Sequence, residues 1–127
     1  MTTYIQNDSH DWLGDTAENY VRYCFAREGY EVFGAGKWAT DCAVHDKENN
    51  RWYRVEVKST DRPKHPIRPS VANLKGRANL LAEIIFSDAS NMHSSSMTLK
   101  LVQIGEDGRR KETKLILNKG DIKSFLS

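Results

Sequence analysis

Apolar residues recur with helical spacing in the first quarter of the chain. Over residues 12–28, the side chains of Ala17, Val21 and Cys24 fall on one face when the segment is drawn as a helix. Gly29 follows directly, and a glycine just past the last turn is typical of a helix end. The pattern therefore predicts an amphipathic helix that packs against other elements through this face.

Alternating and continuous apolar segments follow and predict a sheet. The predicted strands cover residues 30–33, 39–45, 52–59, 80–87, 97–104 and 111–117. A short helix over residues 70–79 separates the third and fourth strands, and residues 118–127 predict a closing turn of helix. The run over 80–87 is almost wholly apolar, as in a strand covered on both faces. This α-β-β-β-α-β order with a C-terminal hairpin predicts an α/β fold with a mixed central sheet flanked by helices.

Length and composition narrow the class of protein. The chain of 127 residues predicts a single domain over 1–127, and 39% hydrophobic with 28% charged residues is typical of a globular protein. No apolar run approaches the roughly 20 residues that cross a bilayer. The first residues lack the features of a signal peptide, and two cysteines are too few for a disulfide framework. We therefore expect a cytoplasmic protein that is neither secreted nor bound to a membrane.

Two carboxylates and a lysine are predicted to meet on one face of the sheet. If residues 47–50 close the hairpin of the second and third strands, Asp41 lies directly opposite Glu56, with Cβ atoms about 5 Å apart. Lys58 is two residues beyond Glu56 and shares its face. A slip of one residue in the register would separate the carboxylates, so the prediction depends on this turn.

Opposed carboxylates are destabilising on a sheet, and a bound divalent cation would relieve the repulsion. Mg²⁺ is commonly held by one or two carboxylates together with water and phosphate oxygens. The simpler alternative is a pair of solvated ion pairs, Asp41 with Lys58 and Glu56 with Arg54, each contributing roughly 0–1 kcal/mol. Spacing alone favours the simpler alternative.

Four motifs that follow one another along the chain favour the metal site over the solvated ion pairs. They are Gly14-Asp-Thr-Ala-Glu18, Gly29-Tyr-Glu-Val32, the single Asp41, and Val55-Glu-Val-Lys58. Together they resemble the PD-(D/E)XK nuclease superfamily, and most closely its small Holliday-junction resolvases. Thr40 stands where the proline of the family name would be.

The resemblance implies a restriction-endonuclease-like fold and a DNA endonuclease that depends on Mg²⁺, with Mn²⁺ as a possible substitute. Asp41 and Glu56 would then be metal ligands, Lys58 the catalytic lysine, and Glu18 an accessory acidic ligand. Glu18 also follows Asp15-Thr-Ala, so a capping box in the first turn of a helix is an equal alternative for it. The implied products carry 5′-phosphate and 3′-hydroxyl ends.

A one-sided basic segment follows the predicted catalytic strand. Its candidate nucleic-acid-binding residues are Arg62, Lys64, His65, Arg68, Ser70, Lys75 and Arg77. Cations clustered beside a metal site are typical of a surface that contacts phosphates. A solubilising loop is the alternative.

The expected partners are branched or duplex DNA and a second copy of the chain, since cutting two strands symmetrically requires two sites. The hairpin over 97–117 and Ile122, Phe125 and Leu126 are the predicted dimer contacts. The sequence contains no glycine-rich phosphate loop, so we expect no organic cofactor. Two alternatives stay open: a sequence-specific homing or restriction-type endonuclease, and a non-catalytic nucleic-acid-binding protein of the same fold.

Overall fold

The computed structural model describes residues 2–34, 41–60, 71–87 and 97–127, with side chains from residue 14 onwards. Within these ranges the chain forms three helices and six strands. In chain order they are α1 (Thr2–Arg27), β1 (Glu31–Gly34), β2 (Cys42–Asp46), β3 (Arg51–Thr60), α2 (Val71–Leu74), β4 (Leu80–Phe86), β5 (Met97–Ile104), β6 (Arg110–Ile116) and α3 (Asp121–Leu126).

All six strands belong to one sheet, in the order β1-β2-β3-β4-β5-β6. Neighbouring strands are antiparallel except β3 and β4, which are parallel. A parallel pair needs a crossover connection, and here the crossover contains α2. The predicted element order and the mixed character of the sheet are therefore confirmed, and the fold is a mixed α/β fold.

Helix α1 covers one face of the sheet through the predicted apolar stripe. Ala17, Val21 and Phe25 are completely buried, and they cluster with Val44 of β2 and Val55 of β3. Burying a side chain such as Phe25 contributes about 1.5–3 kcal/mol. The alternation of β2 and β3 thus turns residues such as Val44 and Val55 toward α1 and places Glu56 and Lys58 on the opposite face.

Strand β4 is covered on both faces, as its continuous apolar sequence predicts. Leu80 and Ile84 belong to the core under α1. Leu81 points the other way and forms a smaller apolar cluster with Leu74 of α2 and Val102 of β5. Helices α1 and α2 therefore lie on opposite faces of the sheet, and β4 is its central buried strand.

Two helix boundaries differ from the prediction. Helix α1 begins at Thr2, well before the predicted start at residue 12. The sequence pattern did not indicate these first turns, because they are largely polar and carry no apolar periodicity. Helix α2 ends at Leu74, since the chain beyond it is bound to β3: the Asn79 amide nitrogen donates to the Arg54 carbonyl, and Asn79 Oδ1 accepts from the Arg54 amide nitrogen. None of the helices in the described ranges has both the length and the apolar character needed to cross a membrane.

The turn between β5 and β6 presses closely on α2 at Gly108. Its φ is +83°, and a Cβ built there would lie 2.5 Å from the Val71 carbonyl oxygen. We expect Gly108→Ala to lower the free energy of unfolding by about 2–4 kcal/mol, through left-handed strain and a backbone clash together. Gly29→Ala is the matched control, because Gly29 has a φ of +93° but no atom near the Cβ position. Urea denaturation should show a clearly smaller loss for the control, and equal losses would contradict the clash.

The start of helix α3 is bound by the carboxylate of Glu28, which directly follows α1 in the sequence. Glu28 is only 5% exposed, and its oxygens accept hydrogen bonds from the backbone nitrogens of Ile122 (3.1 Å) and Lys123 (2.9 Å). The N-cap residue, Gly120, has no side chain to serve this purpose. A buried acceptor from α1 therefore satisfies the free amide groups at the start of α3.

This packing corrects part of the predicted dimer surface. Ile122 and Leu126 are buried in the core of the single chain, and Phe125 packs against that core. The hairpin of β5 and β6 likewise turns Leu99 and Leu101 inward. The four buried side chains are apolar because they complete the core under α1, and they are not available for a dimer contact. Leu115 and Leu117 of the predicted hairpin are exposed, so a dimer contact through the hairpin stays a prediction.

Candidate active site

Asp41 lies where β2 begins beside β3. The observed register pairs Asp46 with Arg51 and Cys42 with Val55, and one further step places Asp41 opposite Glu56. The predicted register is therefore confirmed. The Asp41 side chain bonds directly to the neighbouring strand, because its Oδ2 accepts the backbone N–H of Val57 at 2.7 Å.

Glu56 and Lys58 project from β3 on the face opposite α1. The Nζ atom of Lys58 is 3.7 Å from Oε1 of Glu56, and the Glu56 side chain is largely shielded from solvent. Burial raises the pKa of Glu56, the charge of Asp41 and a hydrogen bond with it raise the pKa further, and Lys58 opposes the rise. The ammonium group of Lys58 therefore lies beside the neighbouring carboxyl groups of Glu56 and Asp41.

Glu18 reaches the same carboxylate from the other side of the sheet. Burial raises its pKa to about 7, a hydrogen bond to the Asp41 carboxyl adds to the effect, and Arg22 opposes it. Asp41 directly precedes the first residue of β2, and its carboxyl group is approached by Glu18 of α1 and by Glu56 of β3. Glu18 lies in the middle of α1, far from its first turn, so the capping-box alternative for Glu18 is wrong.

The three carboxyl groups are linked in pairs through Asp41. Each can offer hard oxygen ligands, which suit Mg²⁺ or Mn²⁺. Among the residues that the structure describes, no three His, Cys, Asp or Glu side chains already stand in a metal-binding arrangement. Glu18 and Glu56 each interact with Asp41. The donor chemistry of the cluster fits a hard divalent cation.

The simpler ion-pair alternative assigned other partners to these charges. Lys58 lies beside Glu56, whereas the Arg54 guanidinium donates to the Gly76 carbonyl at 3.0 Å. Arg54 thereby ties β3 to the end of α2. Lys58 is left next to the carboxyl cluster, with 41% of its side chain exposed.

Two charged residues near the carboxyl cluster were not predicted from the sequence. Glu83 lies opposite Lys58 on β4, but its nearly buried carboxylate is held by Arg110 at 2.8 Å. Glu83 is the only charged residue of the apolar strand β4, and this isolation could have indicated that it needs a charged partner. Arg22 lies one helical turn beyond Glu18, with a separation of 3.9 Å, and the i, i+4 spacing could have identified it.

The predicted nucleic-acid contacts are only partly described. Arg62, Lys64, His65, Arg68 and Ser70 lie outside the described residues. Lys75 and Arg77 follow α2 and are exposed on the same side of the sheet as Glu56.

His45 lies at the far end of β2 from Asp41. Its Nδ1 is 2.8 Å from Glu31 Oε1, and its Nε2 is 3.0 Å from Asn50 Oδ1. The hydrogen bond to Glu31 raises the pKa of His45, and the one to Asn50 adds to the rise. Both ring nitrogens of His45 are therefore engaged at the end of the hairpin opposite to the carboxyl cluster.

Comparisons of the sequence and structure with protein-family models, curated proteins and solved structures find no match. The assignment of chemistry to this site consequently depends on its own residues and on the motifs that they form.

Proposed function

We propose that the protein is a divalent-metal-dependent DNA endonuclease with a restriction-endonuclease-like fold. The observation that carries the proposal is the junction of β2 and β3, where Asp41 contacts Glu56 and Lys58 stands 3.7 Å from the Glu56 carboxylate. The element order and the resemblance to PD-(D/E)XK nucleases support it. Asp41, Glu56 and Glu18 would hold Mg²⁺, which polarises phosphoryl oxygens and lowers the pKa of bound water.

The chain's own residues would divide the remaining work. The backbone N–H of Val57 fixes one oxygen of the Asp41 carboxylate, and Glu18 and Glu56 both approach the same group. Lys58 would place its ammonium group against the phosphoryl oxygens, where negative charge accumulates as water attacks phosphorus and the P–O3′ bond breaks. Water supplies the new P–O bond and the proton of the 3′-hydroxyl, so the products carry 5′-phosphate and 3′-hydroxyl ends.

The proposed substrate is branched DNA, and the proposed assembly is a twofold dimer with one site for each strand. Lys75 and Arg77 support contact with phosphates because they extend positive charge along the face that carries Glu56. Salt-dependent binding is the expected consequence.

The test is cleavage of labelled four-way junction, flap, duplex and single-stranded DNA in Mg²⁺, Mn²⁺ or EDTA. We expect metal-dependent cutting of branched substrates and none in EDTA. Lys58→Met should reduce the rate by about 10²–10³-fold, as for removal of a group that stabilises transition-state charge. Lys100→Met is the matched control, since Lys100 occupies the same sheet face two strands away on β5.

Each alternative predicts a different result. Cutting confined to one sequence, regardless of branching, would favour a site-specific enzyme. Binding without cutting in either metal would favour the non-catalytic protein and contradict the proposal.

A further inference from the structure

A second group of side chains on the Glu56 face stands apart from the carboxyl cluster. Phe33 of β1, His45 of β2 and Trp52 of β3 form a continuous aromatic surface across three strands, named here the aromatic platform. The His45 and Trp52 rings are stacked, with centroids 4.4 Å apart and planes at 25°. Phe33 completes the platform, with its centroid 5.5 Å from that of Trp52.

The sheet register explains how these rings meet. His45 lies directly opposite Trp52, while Phe33 lies opposite Ala43. The small side chain of Ala43 leaves space above β2, so Phe33 and Trp52 come into contact over it. The platform is therefore built by the three strands together and is already formed in the free chain.

Two of the three rings of the platform are open to solvent. Trp52 is 55% exposed and Phe33 is 45% exposed. The side chain of His45 is only 17% exposed and is held by hydrogen bonds to Glu31 and Asn50, so its orientation beside Trp52 is set before any ligand arrives. A rigid and exposed stack of this kind suits a flat aromatic ligand, because little conformational entropy is lost on binding.

The charges around the platform favour a nucleobase over an apolar protein surface. Lys47 borders it in the β2–β3 turn with 65% of its side chain exposed, and Arg54 follows Trp52 on the same face. The carboxylate nearest to the platform, Glu31, is engaged by His45 and Lys47. A stacked base would find aromatic surface, and its phosphates would find cations.

We propose that the exposed rings of Trp52 and Phe33, with His45 stacked against Trp52, bind an unpaired nucleobase by stacking, so that the protein selects nucleic acid containing unpaired nucleotides. The consequence for cleavage rests on the proposed endonuclease. Trp52 and Glu56 are four residues apart on β3, or about 13 Å. At a minimum rise of about 3.4 Å per nucleotide, the scissile bond would lie no more than about four nucleotides from the stacked base.

Binding in EDTA tests the platform independently of catalysis. Fluorescence anisotropy would be measured with labelled oligothymidylate of about 12 nucleotides, within the range of known single-strand binding sites. Trp52→Ala should weaken binding by roughly 5- to 100-fold, as expected for loss of one base–aromatic stack. Trp52→Phe should remain within about threefold of the unaltered protein, since it preserves a stacking surface.

Tyr23→Ala is the matched control, because Tyr23 is 58% exposed on α1 and also lies beside a cation, Arg27. It should leave affinity for the oligonucleotide unchanged, and Phe33→Ala provides a second variant of the platform. Equal affinity of Trp52→Ala and the unaltered protein would overturn the proposal. So would a Trp52→Ala variant that dissociates a dimer in sedimentation, because the platform would then be a protein contact.

The outcome is separable from that of the cleavage assay. If the platform variants lose single-strand binding but no DNA is cut, the platform stands and the endonuclease proposal fails. If cutting occurs and Trp52→Ala neither weakens binding nor changes the choice of substrate, the reverse holds.

Discussion

Asp41→Asn is expected to reduce metal-dependent cleavage by at least about 10²–10³-fold while leaving the fold intact. The asparagine side-chain oxygen can still accept the Val57 N–H that Asp41 accepts at 2.7 Å, so the start of β2 should be preserved. The variant loses the negative charge shared between Glu18 and Glu56. A cation would then have a weaker and neutral ligand at the centre of the cluster.

Thermal unfolding supplies a readout that does not depend on turnover. A cation that binds only the folded protein raises the midpoint of unfolding, so Mn²⁺ should stabilise the unaltered protein and have little effect on Asp41→Asn. In EDTA the variant should be at least as stable as the unaltered protein, because crowding among carboxyl groups is relieved.

Asp15→Asn is the matched control for Asp41→Asn. Asp15 is an exposed residue of α1 whose charge also acts on Glu18, and its replacement changes the net charge equally. Cleavage and the Mn²⁺ response should persist in this control. Undiminished cleavage by Asp41→Asn would remove the carboxyl cluster from the mechanism.

Glu28→Ala is expected to lower the free energy of unfolding by about 3 kcal/mol. The substitution leaves the backbone nitrogens of Ile122 and Lys123 without their charged acceptor, and hydrogen bonds to charged groups contribute about 1.5–3 kcal/mol each. The midpoint of thermal unfolding should fall by about 10 °C in a chain of this size. Differential scanning calorimetry would measure both quantities.

Glu48→Ala is the control for this prediction. Glu48 also contacts α3, through an ion pair with Lys123 at 3.6 Å, but its side chain is 76% exposed. Exposed pairs contribute roughly 0–1 kcal/mol, so the control should change the midpoint little. A loss as large as that of Glu28→Ala would show that the charge near α3, and not the buried hydrogen bonds, stabilises the helix.

The part of the fold that local sequence encodes was predictable. The turn-forming residues 47–50 fixed the pairing of Asp46 with Arg51, and strict alternation in β3 carried that register to Glu56. Side-chain period two then determined the face of each residue. The approach of Asp41 to Glu56 is thus a consequence of one turn and one strand.

Features that depend on distant pairing were not predictable. Glu28 and Ile122 are separated by 94 positions, and nothing local marks the carboxylate as the cap of α3. Trp52 and His45 could be placed on one face from their hairpin, but the meeting of Trp52 with Phe33 also required the register of β1 with β2. The central position of Glu18 in α1 was hidden because the helix extends through a polar segment.

The hydrogen bonds between Glu28 and the start of α3 also affect the order in which the chain can fold during its synthesis. Translation proceeds from the N-terminus, so Glu28 is made long before residues 122 and 123, whose amides it binds. Until those residues have emerged from the ribosome, the carboxylate can be satisfied only by water, and α1 cannot be sealed against the sheet at that end. The nascent chain would therefore form α1 and the strands of the sheet first and complete the core last.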